Sequence, residues 1–456
     1  MSYKGQCLAG NVDAARDRWD HVVHSSDYRA FLDYMCPPGP GGLGAALGRF
    51  PPIGTDPAVC PRPIFGVYDD HDFGWNNGNK RLTSKAEYKR MFLDAIGEHR
   101  DSSRRSADTG LQGAYTVNGG GSGRDIDLVL LDERWYRDTL PCELRRAWCE
   151  GILAQPDPDS PRTSWCQDFL IDDGATGRGS CCRKDEDLAL WCGLPSSRDS
   201  PLWSAACDPT SSEWGSRQVV LGPDNATLLQ VDEALWETQA RELWPRLMQA
   251  RDSPVCEVLG SAQREWLSRR LSASTAALTL VASGSVLLPS VGWQDPVQGA
   301  CGGDDISCWK PAQLNLLHTL ANVTSGCVVV LTGDFHFSDI KIVEPGDGRP
   351  YTELLQTSKM KRHVYQVMAS GMTTSTAHHD GSPCAGTYRE DLVGLRPLGN
   401  CSYMDGPNFG MLEVDWEQRV VHLTIRDASG GGIAVGLDGR AQHVAFALDT
   451  CAPVPL

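Results

Sequence analysis

The stretch Cys327-Val328-Val329-Val330-Leu331-Thr332-Gly333-Asp334-Phe335-His336 decides the reading of this chain. Its first six residues are apolar or β-branched, too few for a buried helix and suited to a strand covered on both faces, as in parallel sheets. The run stops at a glycine and hands over to a carboxylate and an imidazole. In extended backbone, residues i and i+2 share a face, so Asp334 and His336 are expected to point the same way. Carboxylate plus imidazole is a donor set for zinc, iron or manganese.

Three further runs, 63–68, 126–131 and 277–283, read as buried strands. Helical periodicity separates several of them. Ser84-Lys85-Ala86-Glu87 has the form of a capping box, ahead of a helix with Tyr88, Met91, Phe92, Ala95 and Ile96 on one face. The spacing predicts a second helix over 261–271, with Trp266, Leu267 and Leu271 inward, and a third over 311–320 with proline in its first turn. Strands alternating with helices predict an α/β fold. Beyond residue 343 the pattern turns to strands at 363–368, 411–416 and 420–426, with a turn at Gly430-Gly431-Gly432. Residues 141–256 break the rhythm. They are rich in Cys, Pro, Ser, Asp and Trp and read as a disulfide-stapled insertion, with helix near 231–248.

Composition narrows the classes of function. The chain has 456 residues and is 41% hydrophobic, enough for a large core. Its net charge is −16 with no Lys/Arg-rich run, which argues against nucleic acid or an anionic membrane as the main partner, since both need clustered positive charge. An acidic protein acting on an anionic small molecule needs a local positive centre, which a metal ion supplies. There are 17 cysteines, none in a C-x-x-C pair, and three sequons at Asn225, Asn322 and Asn400. Together they point to an oxidising, secretory setting, with the protein secreted or on the cell surface. No apolar leader follows Met1 and no stretch of 18 apolar residues occurs, so a signal peptide is expected upstream and no membrane-spanning helix is expected.

Acidic residues close three of the four runs. The first enters Asp69-Asp70-His71-Asp72, the second Asp132-Glu133-Arg134, and the last Asp334-Phe335-His336. Ligands of open α/β sheets bind beyond the carboxyl ends of the strands. Three carboxylates around His71 repel one another unless solvated or neutralised by a cation. The plainer alternatives are a solvated acidic turn at 69–72 and a structural ion pair between Asp132 and Arg134.

In this order the segments resemble the PhoD-like phosphatases, a branch of the calcineurin-like metallophosphoesterases. Tyr68-Asp69-Asp70-His71-Asp72-Phe73-Gly74-Trp75-Asn76 is similar to the family's W-D-D-H-D/E-Y/F-G-x-N. Leu130-Leu131-Asp132-Glu133-Arg134-Trp135-Tyr136-Arg137 resembles L-L-D-T-R-Y-Y-R, and Gly260 to Leu267 resembles G-x-x-Q-x-x-W-L. Leu331 to Phe337 resembles S-G-D-x-H-F/Y, Ala369-Ser370-Gly371-Met372-Thr373 resembles S-S-G-L-T, and Asn408-Phe409-Gly410 resembles a late N-F-G strand. The resemblance implies a four-layer metallophosphoesterase β-sandwich flanked by helices, running over residues 1–456 with the insertion at 141–256. It implies two metal ions, drawn from iron, calcium, zinc or manganese, and hydrolysis of a small phosphate ester by metal-activated hydroxide. By position, Asp70, Asp334 and His336 match metal ligands and His71 the group that steadies the transition state. Asp69, Asp72, Asn76 and Asp132 match further or outer ligands; Arg134, Arg137 and Thr374 match substrate contacts. Thr374 stands where the family commonly has His. The family's first motif, G-D-x-x-Y-x-D with its opening strand, is not found and is expected at or before Met1. A domain that keeps the fold as a non-catalytic secreted glycoprotein is the alternative.

Overall fold

The run Cys327–Thr332 is an inner strand of a six-stranded sheet in the computed structural model of this protein. The structure describes residues 12–35, 64–74, 78–137, 195–204, 219–221, 228–230, 257–288, 309–371 and 406–456, apart from 81, 83, 99, 118–121, 335, 350–351 and 437–438, together with Pro158, Ile306 and Met404. The chain divides into two compact units. The first takes the described residues of Met1–Gly113, Arg134–Thr139 and Pro156–Glu233; the second takes those of Ala114–Glu133, Leu140–Gln155 and Ala234–Leu456.

The first unit contains α1 (Val12–Val23), α2 (Ser26–Met35), α3 (Lys85–Ala95) and a short hairpin pairing Val219–Leu221 with Leu228–Gln230. Tyr88, Phe92 and Leu93 of α3 pack with Tyr68, Phe73, Leu82, Leu111 and Trp135. The Tyr68 ring lies 4.9 Å from Phe73 and 5.6 Å from Phe92, and such pairs contribute about 0.5–1.5 kcal/mol beyond their buried area. The predicted inner face of α3 is therefore the observed one. The capping box is not. Ser84 has φ −86° and ψ 21°, outside the extended conformation that aims a capping hydroxyl at the helix, and its side chain makes no cap hydrogen bond.

Residues 64–68 also depart from expectation, since among the described residues they pair with no strand. A strand needs a neighbour, and here a side chain takes up the backbone instead. The buried Arg104 donates from Nη2 to the Gly66 carbonyl at 2.6 Å. Its other bonds go to the Leu111 carbonyl at 2.6 Å and to the buried Glu98 carboxylate at 2.8 Å.

In the second unit the six-stranded sheet is built from β1 (Gly113–Val117), β2 (Ile126–Leu130), β3 (Leu278–Ala282), β4 (Cys327–Thr332), β5 (Ser338–Val343) and β6 (Val364–Ala369), in the order β1-β2-β3-β4-β6-β5. Strands β2, β3, β4 and β6 run parallel, and β5 returns antiparallel to β6 at one edge. Two helices, α4 (Gly260–Ala273) and α5 (Lys310–Ala321), cover one face. A four-stranded antiparallel sheet covers the other; its strands are β7 (Asn408–Asp415), β8 (Val420–Asp427), β9 (His443–Ala447) and β10 (Pro453–Val454).

The apolar run explains this layering. Val328 and Val330 pack toward Leu267, Leu271, Leu316 and Leu320 of the helices. Cys327 and Val329 pack the opposite way, toward Val421, Leu423 and Phe446 of the second sheet. Each fully buried aliphatic of this kind contributes about 1.5–3 kcal/mol. The α/β sandwich with flanking helices is thus present; a fourth layer is not among the described residues of this unit. Of 141–256, only Pro158, 195–204, 219–221 and 228–230 are described, so the stapled insertion and its helix lie outside the described residues.

Two features tie the sheets together. A disulfide joins Cys327 of β4 to Cys451 after β9, across 124 residues. Beside it Tyr365 stacks on Phe446 at 4.3 Å and donates its hydroxyl to the Cys451 carbonyl at 2.8 Å. The second tie is Gly371, just past β6, whose carbonyl accepts the N–H of Asn408 at 3.2 Å. Asn408 is buried and donates from Nδ2 to the Gly406 carbonyl at 2.8 Å. A Cβ on Gly371 would overlap Asn408 Nδ2 and sit 2.9 Å from the Gly406 oxygen.

Both ties can be cut. Replacing Cys327 and Cys451 together by alanine is expected to lower unfolding stability by about 2–5 kcal/mol, from lost loop constraint, as measured by urea denaturation. An unchanged midpoint would show that the disulfide does not hold the sheets. Gly371→Ala is expected to cost about 1–3 kcal/mol through overpacking, read the same way, and a cost near zero would show that the approach to Asn408 is loose.

Candidate functional site

Parallel strands end on the same edge of their sheet. In register, Leu130, Ala282, Leu331 and Val367 stand side by side across β2, β3, β4 and β6. Just beyond them lie Asp132, Ser283, Asp334 and Ser370, so two of the predicted acidic strand ends share this edge.

Asp132, at the end of β2, is fully buried. Its backbone is clamped by Gln263 of α4, whose Oε1 accepts the Asp132 N–H at 2.8 Å and whose Nε2 donates to the Asp132 carbonyl at 2.6 Å. Glu133 is buried too, and accepts from the Ser283 hydroxyl and the Ser285 N–H, each at 2.7 Å. Hydrogen bonds to a charged acceptor are worth about 1.5–3 kcal/mol, so Glu133 holds the loop after β3.

The end of β4 is not extended. Asp334 has φ 81° and His336 φ 58°, so the alternation rule that would aim both side chains one way does not apply. Positive φ at a residue with a side chain costs about 1–3 kcal/mol and persists where the surroundings impose it. Here the His336 N–H donates to Ser370 Oγ at 3.2 Å, and the Ser370 N–H donates to the Phe337 carbonyl at 3.2 Å. Phe337 is buried, whereas His336 is exposed and Asp334 half-buried. The bend therefore leaves an imidazole open to solvent beside a partly sheltered carboxylate.

The first unit carries the other acidic segment. His71–Phe73 forms a short turn of 3-10 helix, closed by the Phe73 N–H donating to the Asp70 carbonyl at 3.0 Å. The Phe73 ring is buried and anchors the turn. Gly78 crosses over it so closely that a Cβ would lie 2.7 Å from the Phe73 oxygen and 3.2 Å from that of Asp70. Asp69 and Asp70 present carboxylate oxygens within 4.8 Å of each other. Asp72 Oδ2 accepts the Asp69 N–H at 3.2 Å. Asp69 Oδ1 accepts from Arg134 Nη2 at 2.9 Å, with the Arg134 side chain fully buried and that of Asp69 33% exposed. Arg134 thus offsets one of the crowded charges. Arg137 is likewise buried, and its carbonyl accepts the Lys80 N–H at 2.9 Å. Both arginines, expected as substrate contacts, lie out of solvent in the first unit.

The donors in each segment suit a metal ion. Paired carboxylates in one turn are what a hard cation takes, and carboxylate with imidazole is a set for zinc, iron or manganese. His71 opens the 3-10 turn. Asn76, Thr374, Asn225 and Asn400 lie outside the described residues. Asn322 caps the end of α5, donating from Nδ2 to the His318 carbonyl at 2.7 Å. Sequence reasoning gave no role to Gln263, Glu133, Ser370 or Asn408. The available signal was a polar residue set inside an otherwise apolar motif, where a buried polar group must find a partner.

The family described as PhoD-like phosphatase matches residues 208–425. That span holds α4, α5, the Asp334 bend, Ser370 and Asn408. It begins within the stretch read as an insertion and does not reach 69–72. No curated protein matches the chain. Among solved structures, one titled "Structure of PhoD" is similar at 12% identity and a TM-score of 0.44, covering 87% of this chain and 56% of that one. No helix among the described residues is long and apolar enough to cross a membrane. Over residues 208–425, then, this chain matches the PhoD-like phosphatase family, the family its ordered motifs resemble.

Proposed function

We propose that this protein hydrolyses small phosphate esters, with Asp70, Asp334 and His336 as metal ligands and His71 as the proton donor to the leaving oxygen. The observation that carries this reading is the bend at Asp334 and His336, held in positive φ by Ser370 within the family-matched span. Strained backbone of this kind clusters at working sites, because neighbours must impose it. When bound, metal ions lower the pKa of a water and neutralise charge on the phosphoryl oxygens. The chain's own residues set the stage. Arg134 orients Asp69, Gln263 fixes the end of β2, and Ser370 holds the imidazole-bearing bend in place. A positive centre of this kind also answers the net charge of −16, which otherwise disfavours an anionic substrate. The Cys327–Cys451 disulfide supports placing the protein in an oxidising compartment, secreted or on the cell surface.

Turnover of p-nitrophenyl phosphate and its diester at neutral to alkaline pH tests the proposal. Chelator is expected to abolish turnover. Asp334→Asn is expected to lower kcat/KM by about a hundredfold or more, since a metal supplies several kcal/mol of transition-state stabilisation. Turnover indifferent to both would contradict the metal-dependent reading. A folded chain with neither turnover nor bound metal would instead favour the non-catalytic glycoprotein.

A further inference from the structure

The outer face of the second sheet holds a group of side chains that the phosphatase reading does not use. Val421, Leu423 and Ile425 of β8 and Val444 and Phe446 of β9 face the core. By alternation His422 and His443 face outward. Thr424 is the cross-strand partner of His443, so the two histidines are diagonal neighbours on adjacent strands. His422 Nδ1 and His443 Nε2 lie 3.1 Å apart, with ring centroids 5.3 Å apart and tilted by 43°. On the other side of β8, Glu413 of β7 is the direct cross-strand partner of His422. Its side chain is 52% exposed and only loosely paired, with Arg426 Nη2 at 3.6 Å.

That nitrogen separation has a chemical meaning. Zinc binds imidazole nitrogen at about 2.0–2.1 Å, which puts two ligand nitrogens about 3.3 Å apart at a tetrahedral angle and about 2.9 Å apart at a right angle. The observed spacing falls between these, so two donors already stand at the separation that one ion requires. We propose that His422 and His443 bind one divalent first-row transition-metal ion of the zinc, nickel or copper class on the outer face of the second sheet, with water completing the coordination and Glu413 nearby as a compensating charge. Imidazole is the preferred donor for these ions, and the carboxylate adds charge compensation.

The electrostatics at His443 agree with that geometry. Burial first, then the neighbouring His422 and Arg426, hold His443 below the usual imidazole range, against an opposing pull from Glu413. That direction favours the neutral ring, the form that binds metal. The ion would cross-link β8 to β9, and the site is independent of the proposed catalytic residues.

The test uses the full chain carrying Asp70→Asn, Asp334→Asn and His336→Ala, so that the proposed catalytic ligands do not contribute. After chelator stripping and equilibration with Ni2+, bound nickel is counted. One ion per chain is expected, and adding His443→Gln or His422→Gln should remove it with circular dichroism unchanged. Equal nickel with and without those substitutions would overturn the proposal. If the variants fail to fold, electron paramagnetic resonance of the Cu2+-loaded parent decides. Coupling to two imidazole nitrogens is expected, and coupling to one or none would overturn it. In the otherwise natural chain, His443→Gln should leave phosphate-ester turnover unchanged, which separates failure of this site from failure of the phosphatase reading.

Discussion

Backbone hydrogen bonding between β2, β3, β4 and β6 runs parallel, and a parallel sheet has no choice about where its carboxyl ends lie. Everything chemical in the second unit follows from that. Segments far apart in sequence deliver Asp132, Ser283, Asp334 and Ser370 to one edge. The apolar run of β4 fixes the edge in depth, because Val328 and Val330 must meet the helices while Val329 meets the second sheet. Sliding β4 by one residue would exchange those faces, so the packing of a few valines positions the Asp334 bend.

The bend works against local preference and is stabilised by what surrounds it. Asp334 and His336 in positive φ are held by Ser370, itself fixed because Gly371 lies against the buried Asn408. Motifs that look separate in sequence thus form one mechanical chain: the end of β6 braces the end of β4, and the start of β7 braces the end of β6. The disulfide and the stack of Tyr365 on Phe446 hold the two sheets that make this possible. Across the sandwich the outer face of β8 and β9 is free of these constraints, which is why two histidines there can serve a different ligand.

Much of this was legible in the sequence because it rests on local pattern. The β4 run, the apolar stripes of α3 and α4 and the late strands each declare themselves by period. Features set by tertiary contact were not legible. β5 escapes because Asp339 and Lys341 are buried as an ion pair, against the rule that buries apolar residues. The apolar segment 64–68 resembles a strand, yet the Arg104 guanidinium takes the Gly66 carbonyl. Ser84 has the right neighbours for a capping box and the wrong backbone angles. For Asp334 and His336 the local pattern predicts extended backbone, whereas the positive φ observed depends on a serine 34 residues from His336. The cysteine count pointed to cross-links, but which cysteine meets which is a property of the folded sheets.

Anomalous diffraction from crystals of the purified protein, collected at the absorption edges of iron, zinc and manganese with calcium placed by its anomalous signal, tests the central claim most directly. A peak within bonding distance of the Asp334 carboxylate and the His336 imidazole is expected. Metal-dependent phosphate-ester turnover from a protein with no metal on either residue would contradict it.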